Sequence, residues 1–182
     1  MRLFTALDPP ADVQDRCTEL QDALSLPARW TPPSQFHITI RFLGDTEPGP
    51  AQQYEAALSE VQAPAAHCVP YGLDALPSRR TPRVIVLGLK RTDSLLALHA
   101  AVSEALETEG LAPEDRTYRP HLTLARLDDP DPERVHNALQ TSDAPVPDPF
   151  WADTVSLYES TLTADGAVHK QRTSFPLASP AP

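Results

Sequence analysis

Apolar and polar positions change their period along the chain, and each change marks an element. Residues 3–7 form a short apolar run that predicts a strand, and Asp8-Pro9-Pro10 behind it is a helix-start signal. Val13, Cys17, Leu20 and Leu24 then recur at helical spacing, which predicts a helix over about residues 11–25. Pro27, Pro32 and Pro33 break the chain before a strand over 36–43 that Gly44-Asp45 closes. A second helix fits 51–61, with Tyr54, Leu58 and Val61 on one face. An extended piece near 68–73, an arginine-rich loop over 78–83 and a buried strand over 84–89 follow. Thr92 can cap a third helix whose Leu95, Leu98, His99, Val102 and Leu106 share a stripe, and Gly110 ends it. A strand over 121–125 comes next, and Asp131-Pro132 opens a short helix containing Val135 and Leu139. Two last strands, 154–162 and 168–175, are joined by the hairpin signal Ala164-Asp165-Gly166. The order strand, helix, strand, helix occurs in each half, which predicts two similar lobes. That favours α+β with antiparallel sheets over a parallel doubly wound fold.

Two of these strands share unusual lettering, FHITIRFLG from Phe36 and PHLTLARL from Pro120. Side chains alternate along a strand, so His37, Thr39 and Arg41 are expected on one face, with Ile38, Ile40 and Phe42 on the other. His121 and Thr123 likewise oppose Leu122 and Leu124. Residues two apart lie roughly 6.5 to 7 Å from each other, so an imidazole and a hydroxyl can reach one phosphate-sized object. With 6 histidines in 182 residues, chance supplies about 0.5 such His-x-Thr triplets. The shared context raises the signal: an apolar residue follows each member of the pair, and an arginine, Arg41 or Arg126, stands close behind each motif.

Composition then removes classes of function. The chain is long enough for one sizeable domain and shows no linker, so residues 1–177 read as a single domain and 178–182 as a tail. Its formal net charge is −10, which counts against a broad nucleic-acid surface. The basic residues are uneven, however. Arg79, Arg80, Arg83, Lys90 and Arg91 cluster, and Arg116, Arg119 and Arg126 bracket the second motif, which leaves room for a local anion site. No stretch approaches a membrane span or a signal peptide, so a cytoplasmic protein and, by default, a monomer are expected. Cys17 and Cys68 have no motif company and read as reduced thiols.

Imidazole titrates near neutrality, so one histidine can be held protonated as a general acid while its partner is a neutral base. The hydroxyls can donate to non-bridging phosphate oxygens. Such a set suits in-line attack of water or a hydroxyl on a phosphodiester with no metal, no cofactor and no covalent intermediate. The chain has no HExxH, GxxxxGK[ST] or GxSxG pattern, and threonine is a poor zinc ligand. His67, His99, His136 and His169 lack the pattern; His99 reads as part of a helix face, and His67 and His136 as surface or cap residues.

The residues His37-Ile38-Thr39-Ile40 and His121-Leu122-Thr123-Leu124 resemble the paired HxTx motifs of the two-histidine (2H) phosphoesterases, in their LigT-like branch of 2′-5′ RNA ligases or RNA 2′,3′-cyclic phosphodiesterases. The resemblance extends over RLFTALDPP, Trp30, the PRVIVLG strand, YRPHLTLAR and the terminal LYES. It implies a bilobal, pseudo-symmetric α+β fold with two antiparallel sheets flanked by helices around a central water-filled cleft. It also implies hydrolysis of a 2′,3′-cyclic phosphate to a 2′-phosphate, with 2′-5′ joining of RNA ends as the reverse capacity. Carried over, His37 is the proton donor to the leaving 3′ oxygen and His121 the proton acceptor that activates water. Thr39, Thr123 and Arg126 hold the phosphate, and Arg41 and Tyr118 are candidate substrate contacts, with Tyr118 either stacking on a base or packing in the core. Partners are then RNA ends or nucleoside 2′,3′-cyclic phosphates. His169 departs from relatives that carry tyrosine in the last strand. Two other readings stay open: a non-catalytic module that binds RNA ends, and the same chemistry on a cyclic ADP-ribose phosphate or a 2′-5′ oligonucleotide.

Overall fold

The computed structural model describes residues 1–163 and 166–178. Of the expected hairpin turn, Ala164 and Asp165 lie outside the described residues, as do residues 179–182 of the expected tail. The strands are β1 (Arg2–Leu7), β2 (Arg29–Trp30), β3 (Ile38–Asp45), β4 (Ala66–Cys68), β5 (Pro70–Ser78), β6 (Thr81–Leu89), β7 (His121–Arg126), β8 (Phe150–Ala152), β9 (Thr154–Thr163) and β10 (Gly166–Pro176). The helices are α1 (Ala11–Asp22), α2 (Pro48–Ser59), α3 (Asp93–Thr108) and α4 (Pro132–Thr141). Local chemistry sets several boundaries. The Thr92 hydroxyl accepts from the Leu95 amide at the start of α3, and the Asp131 carboxylate accepts from the amides of Glu133 and Arg134 at the start of α4. Gly110 takes a φ of +94° just past α3, where a side chain would be strained.

The fold is α+β with two antiparallel sheets. The larger runs β10-β9-β1-β3-β7-β6-β5, with β2 on β7, and the smaller pairs β4 with β8. The two lobes are the two halves of the larger sheet, joined edge to edge where Ile38 of β3 pairs with Leu122 of β7. The lobes are not the halves of the sequence. The last hairpin, β9-β10, returns to pair with β1, so the first lobe contains both ends of the described chain. Helices are exchanged as well: α1 packs against β7 of the second lobe, whereas α3 packs against β3 of the first. The Gln21 side chain on α1 fixes that crossing by donating to the carbonyls of Thr31 and Leu124, each at 2.8 Å.

One apolar core fills the helix side of the sheet, from Leu3, Leu7, Ile38 and Ile40 through Leu87 and Leu122 to the helix residues Leu20, Leu58, Leu98 and Leu106. Phe4, Ala6 and Val86 are also buried but lie outside that core. They belong to the opposite, open face of the sheet, where both histidine motifs present their polar side chains. Among the described residues no helix is long and apolar enough to cross a membrane.

Candidate active site at the lobe junction

The antiparallel pair Ile38–Leu122 sets the geometry of the two motifs. Counting one residue outward in each direction sets His37 toward Thr123 and Thr39 toward His121. Each histidine therefore faces the other motif's threonine, and the four side chains converge on the lobe junction from two sides. All four are half-buried.

Both histidines are oriented by the same local device. His37 Nδ1 lies 2.8 Å from the Gln35 carbonyl, and His121 Nδ1 lies 2.7 Å from the Arg119 carbonyl, each two residues upstream. A carbonyl only accepts, so each Nδ1 carries hydrogen and each Nε2 is left for chemistry. Burial lowers the pKa of both rings below the ordinary imidazole value. Their surroundings differ, however. After burial and the Gln35 bond, His37 feels Asp8, whose charge favours its protonated form, and then His121 and Arg126, which oppose it. His121 has no such carboxylate and feels the positive charge of Arg119.

The strand register explains this asymmetry. On β6, Gly88 pairs with His121 and Val86 with Thr123. On β1, Ala6 pairs with Thr39 and Leu7 with Ile38, so Asp8, the next residue, occupies beside His37 the place that Gly88 occupies beside His121. Asp8 is held there by the Tyr158 hydroxyl, which donates to it at 2.5 Å. Tyr158 in turn stacks on Phe4 with ring centroids 5.3 Å apart, and Phe4 lies 5.0 Å from the His37 ring. None of Phe4, Asp8 or Tyr158 carries a motif. Their signals are the resemblances alone, RLFTALDPP for Phe4 and Asp8 and LYES for Tyr158.

His169 enters the same cluster because β10 returns to the first lobe. Its ring meets His37 edge-on at 5.1 Å and Phe4 at 4.9 Å. Burial, then the charges of His37 and Arg126, push its pKa down to about 4, so it is neutral under working conditions and does not compete for the His37 proton.

Arg41 does not join the site, which corrects the expected strand alternation. A register shift in the β1-β3 pairing leaves Ile40 unpaired between Thr39 and Arg41, and turns Arg41 to the helix side. There it is only 1% exposed and bonds Glu107 at 3.2 Å, Glu114 at 2.8 Å and the Ala112 carbonyl at 2.6 Å. Phe42 takes the open face instead, 56% exposed, with its ring 6.0 Å from Phe4. The second motif has the same shift at Leu124, which buries Ala125 and turns Arg126 to the open face, in electrostatic contact with His37 and His169. The true counterpart of Arg126 is thus Phe42, and that of Arg41 is Ala125.

Tyr118 is likewise fixed by the protein. Its hydroxyl donates to the Thr39 carbonyl at 3.0 Å and its ring stacks on His99 at 4.1 Å, so it packs behind the first motif and ties it to the neighbouring loop. Arg126, Thr39, Thr123 and the two histidines are the predicted residues that the structure brings together. Among the described residues no group of three or more His, Cys, Asp or Glu side chains is arranged to hold a metal ion.

The model of the 2′-5′ RNA ligase superfamily matches residues 9–163. The chain belongs to that superfamily. It is 27% identical over 182 residues to a Thermotoga maritima protein named RNA 2′,3′-cyclic phosphodiesterase, covering 93% of this chain and 92% of the relative. A protein of the same name from Archaeoglobus fulgidus is 28% identical, covering 96% of this chain and 99% of the relative. Among solved structures, E. coli LigT complexed with NADP+ superposes with a TM-score of 0.76 at 20% identity, covering 97% of each chain. A Thermus thermophilus protein gives 0.79 at 24% identity, covering 98% of this chain and 99% of that one. These likenesses establish a LigT-type 2H phosphoesterase fold.

Proposed function

We propose that this protein is a phosphoric diester hydrolase that opens 2′,3′-cyclic phosphates at RNA ends or on nucleosides to 2′-phosphates, with His37 as general acid and His121 as general base. The observation that carries the reading is the matched orientation of the two imidazoles across the lobe junction, each tied through Nδ1, one beside Asp8 and the other beside Gly88. Asp8 favours the protonated form of His37 and Arg119 disfavours that of His121, which supports His37 as the acid and His121 as the base. The names of the curated relatives support the same substrate.

The step balances without further reagents. Water attacks phosphorus and gives its proton to His121 Nε2, while the P–O3′ bond breaks and O3′ takes the proton from His37. Thr39 and Thr123 donate to the non-bridging oxygens, and Arg126 offsets their charge. A 5′-hydroxyl in place of water gives a 2′-5′ diester by the same transfers, which is the ligase direction.

The threonine hydroxyls contribute charge-assisted hydrogen bonds, each of which is worth about 1.5–3 kcal/mol. Thr39→Val or Thr123→Val therefore lowers kcat by roughly 10- to 100-fold at nearly constant volume. Steady-state kinetics on cytidine 2′,3′-cyclic phosphate check this, and an effect confined to KM would mean that the hydroxyls bind ground state and transition state equally.

The pH dependence follows from the two protonation states. Activity rises as His121 loses its proton and falls as His37 loses its own, so the kcat/KM profile is bell-shaped. Both free-enzyme values lie below the ordinary imidazole pKa, so the falling limb begins on the acid side of it. A bound phosphate favours the imidazolium of His37, and the falling limb of kcat is displaced to higher pH. A rate that climbs monotonically from about pH 5 to about pH 9 would exclude this pair as acid and base.

A further inference from the structure

Beside the base histidine lies an aromatic surface that the hydrolytic step does not use. Tyr71 is the extra residue of a bulge between the pairs Pro70–Leu89 and Gly72–Gly88, and such a bulge re-aims the side chain. The ring turns across β6 and covers Gly88. A Cβ on Gly88 would stand 2.2 Å from Tyr71 Cζ, so only glycine admits the ring there. Because Gly88 is the cross-strand partner of His121, the Tyr71 ring lies on the open face next to that imidazole.

The ring is 52% exposed, and among the described residues its hydroxyl makes only a long contact, 3.5 Å, to Asp74. Asp74 is itself held by Arg79 at 2.9 Å. Arg119, whose carbonyl orients His121, is near enough for its charge to be felt at the Tyr71 hydroxyl. A flat, exposed ring, with Arg119 and the Asp74–Arg79 ion pair at its margin, fits a stacked nucleobase. Tyr118, a second aromatic near that motif, is stacked on His99 and bonded to Thr39, and Trp30, paired with Ala125, packs against the core, so neither offers a face of this kind.

We propose that Tyr71 is a stacking subsite for the base of a ribonucleoside whose 5′-oxygen enters or leaves on the His121 side. The inference rests on the acid-base assignment above, because that assignment puts the nucleophile on the side of His121. In that reaction the 5′-hydroxyl oxygen bonds to phosphorus and its proton passes to His121, the P–O3′ bond breaks, and O3′ takes the proton of His37. The product is a 2′-5′-linked dinucleotide that spans both lobes, with its second base on Tyr71.

Binding separates this subsite from the phosphate site. By calorimetry, the wild-type protein binds a 2′-5′-linked diadenylate more tightly than adenosine 2′-phosphate by roughly 5- to 150-fold, the gain from one stacked base. The ratio of the two Kd values collapses to about 1 in Tyr71→Ala and is kept in Tyr71→Phe, which retains the ring. Gly88→Ala, which displaces the ring, lowers the ratio without removing the tyrosine. A wild-type ratio near 1, or a ratio that survives Tyr71→Ala, overturns the proposal. Cyclic-phosphate hydrolysis measured on the same preparation tests the catalytic reading separately, since the Kd ratio requires no turnover.

Discussion

Replacing His37 or His121 with alanine lowers kcat on cytidine 2′,3′-cyclic phosphate by about 10²- to 10⁴-fold, the usual contribution of a positioned acid or base. The double variant is hardly slower than the worse single variant, because acid and base act in one transition state and their losses do not add. The two losses differ in kind. Without His37 the leaving oxygen departs unprotonated, so a substrate analogue with an acidic leaving group recovers much of the rate. Without His121 the nucleophile is unassisted, and the same analogue stays slow. Each ring is held by one hydrogen bond to a carbonyl two residues upstream, so its removal leaves the sheet pairing intact. Steady-state rates of the three variants on natural and activated substrates check the assignment. Equal rescue of both single variants would show that the roles of acid and base are not divided between these residues.

Arg41→Ala lowers stability by about 3 kcal/mol, which corresponds to roughly 6–12 °C in Tm. Arg41 is 1% exposed and bonds Glu107, Glu114 and the Ala112 carbonyl, so its loss leaves two carboxylates without their counter-charge. Both carboxylates are about one-third exposed and regain some water, which keeps the loss near the lower end of the range for a broken buried pair. The loss is structural rather than catalytic. Well below its Tm, the variant keeps the KM of the wild type, because the guanidinium lies on the helix side of β3. Thermal unfolding followed by circular dichroism, with KM measured on the folded variant, checks both parts. A raised KM with unchanged Tm would put Arg41 back among the substrate contacts.

The contrast between Arg41 and Arg126 shows what the sequence could carry. Strict alternation predicts that His37, Thr39 and Arg41 share a face, and it is right for the first two. A residue left unpaired at Ile40 shifts the period by one, and no turn residue announces it, because Ile40 is itself an ordinary core residue. The same shift at Leu124 brings Arg126 to the site, so the two arginines that look equivalent by spacing have opposite fates.

Helical stripes and cap signals were legible because they depend on neighbours in the chain. Thr92 and Asp131 cap α3 and α4 where the pattern predicts. The short strands β2, β4 and β8 were not, since two or three residues cannot display a period and are fixed by their partners. Asp8, Tyr158 and His169 were invisible as a group for a related reason. They are far apart in sequence and meet only because the last hairpin pairs with β1. Asp8 marked a helix start, and its second role, beside His37, depends on register alone.

The most direct test of the central claim is the fate of cytidine 2′,3′-cyclic phosphate incubated with the purified protein in EDTA, with the 2′- and 3′-phosphate products resolved chromatographically. A single acid aimed at O3′ predicts cytidine 2′-phosphate, formed at the same rate with and without the chelator. Cytidine 3′-phosphate as the main product, turnover that requires a metal ion, or no turnover on this substrate or on a cyclic-phosphate-ended oligonucleotide would contradict the account.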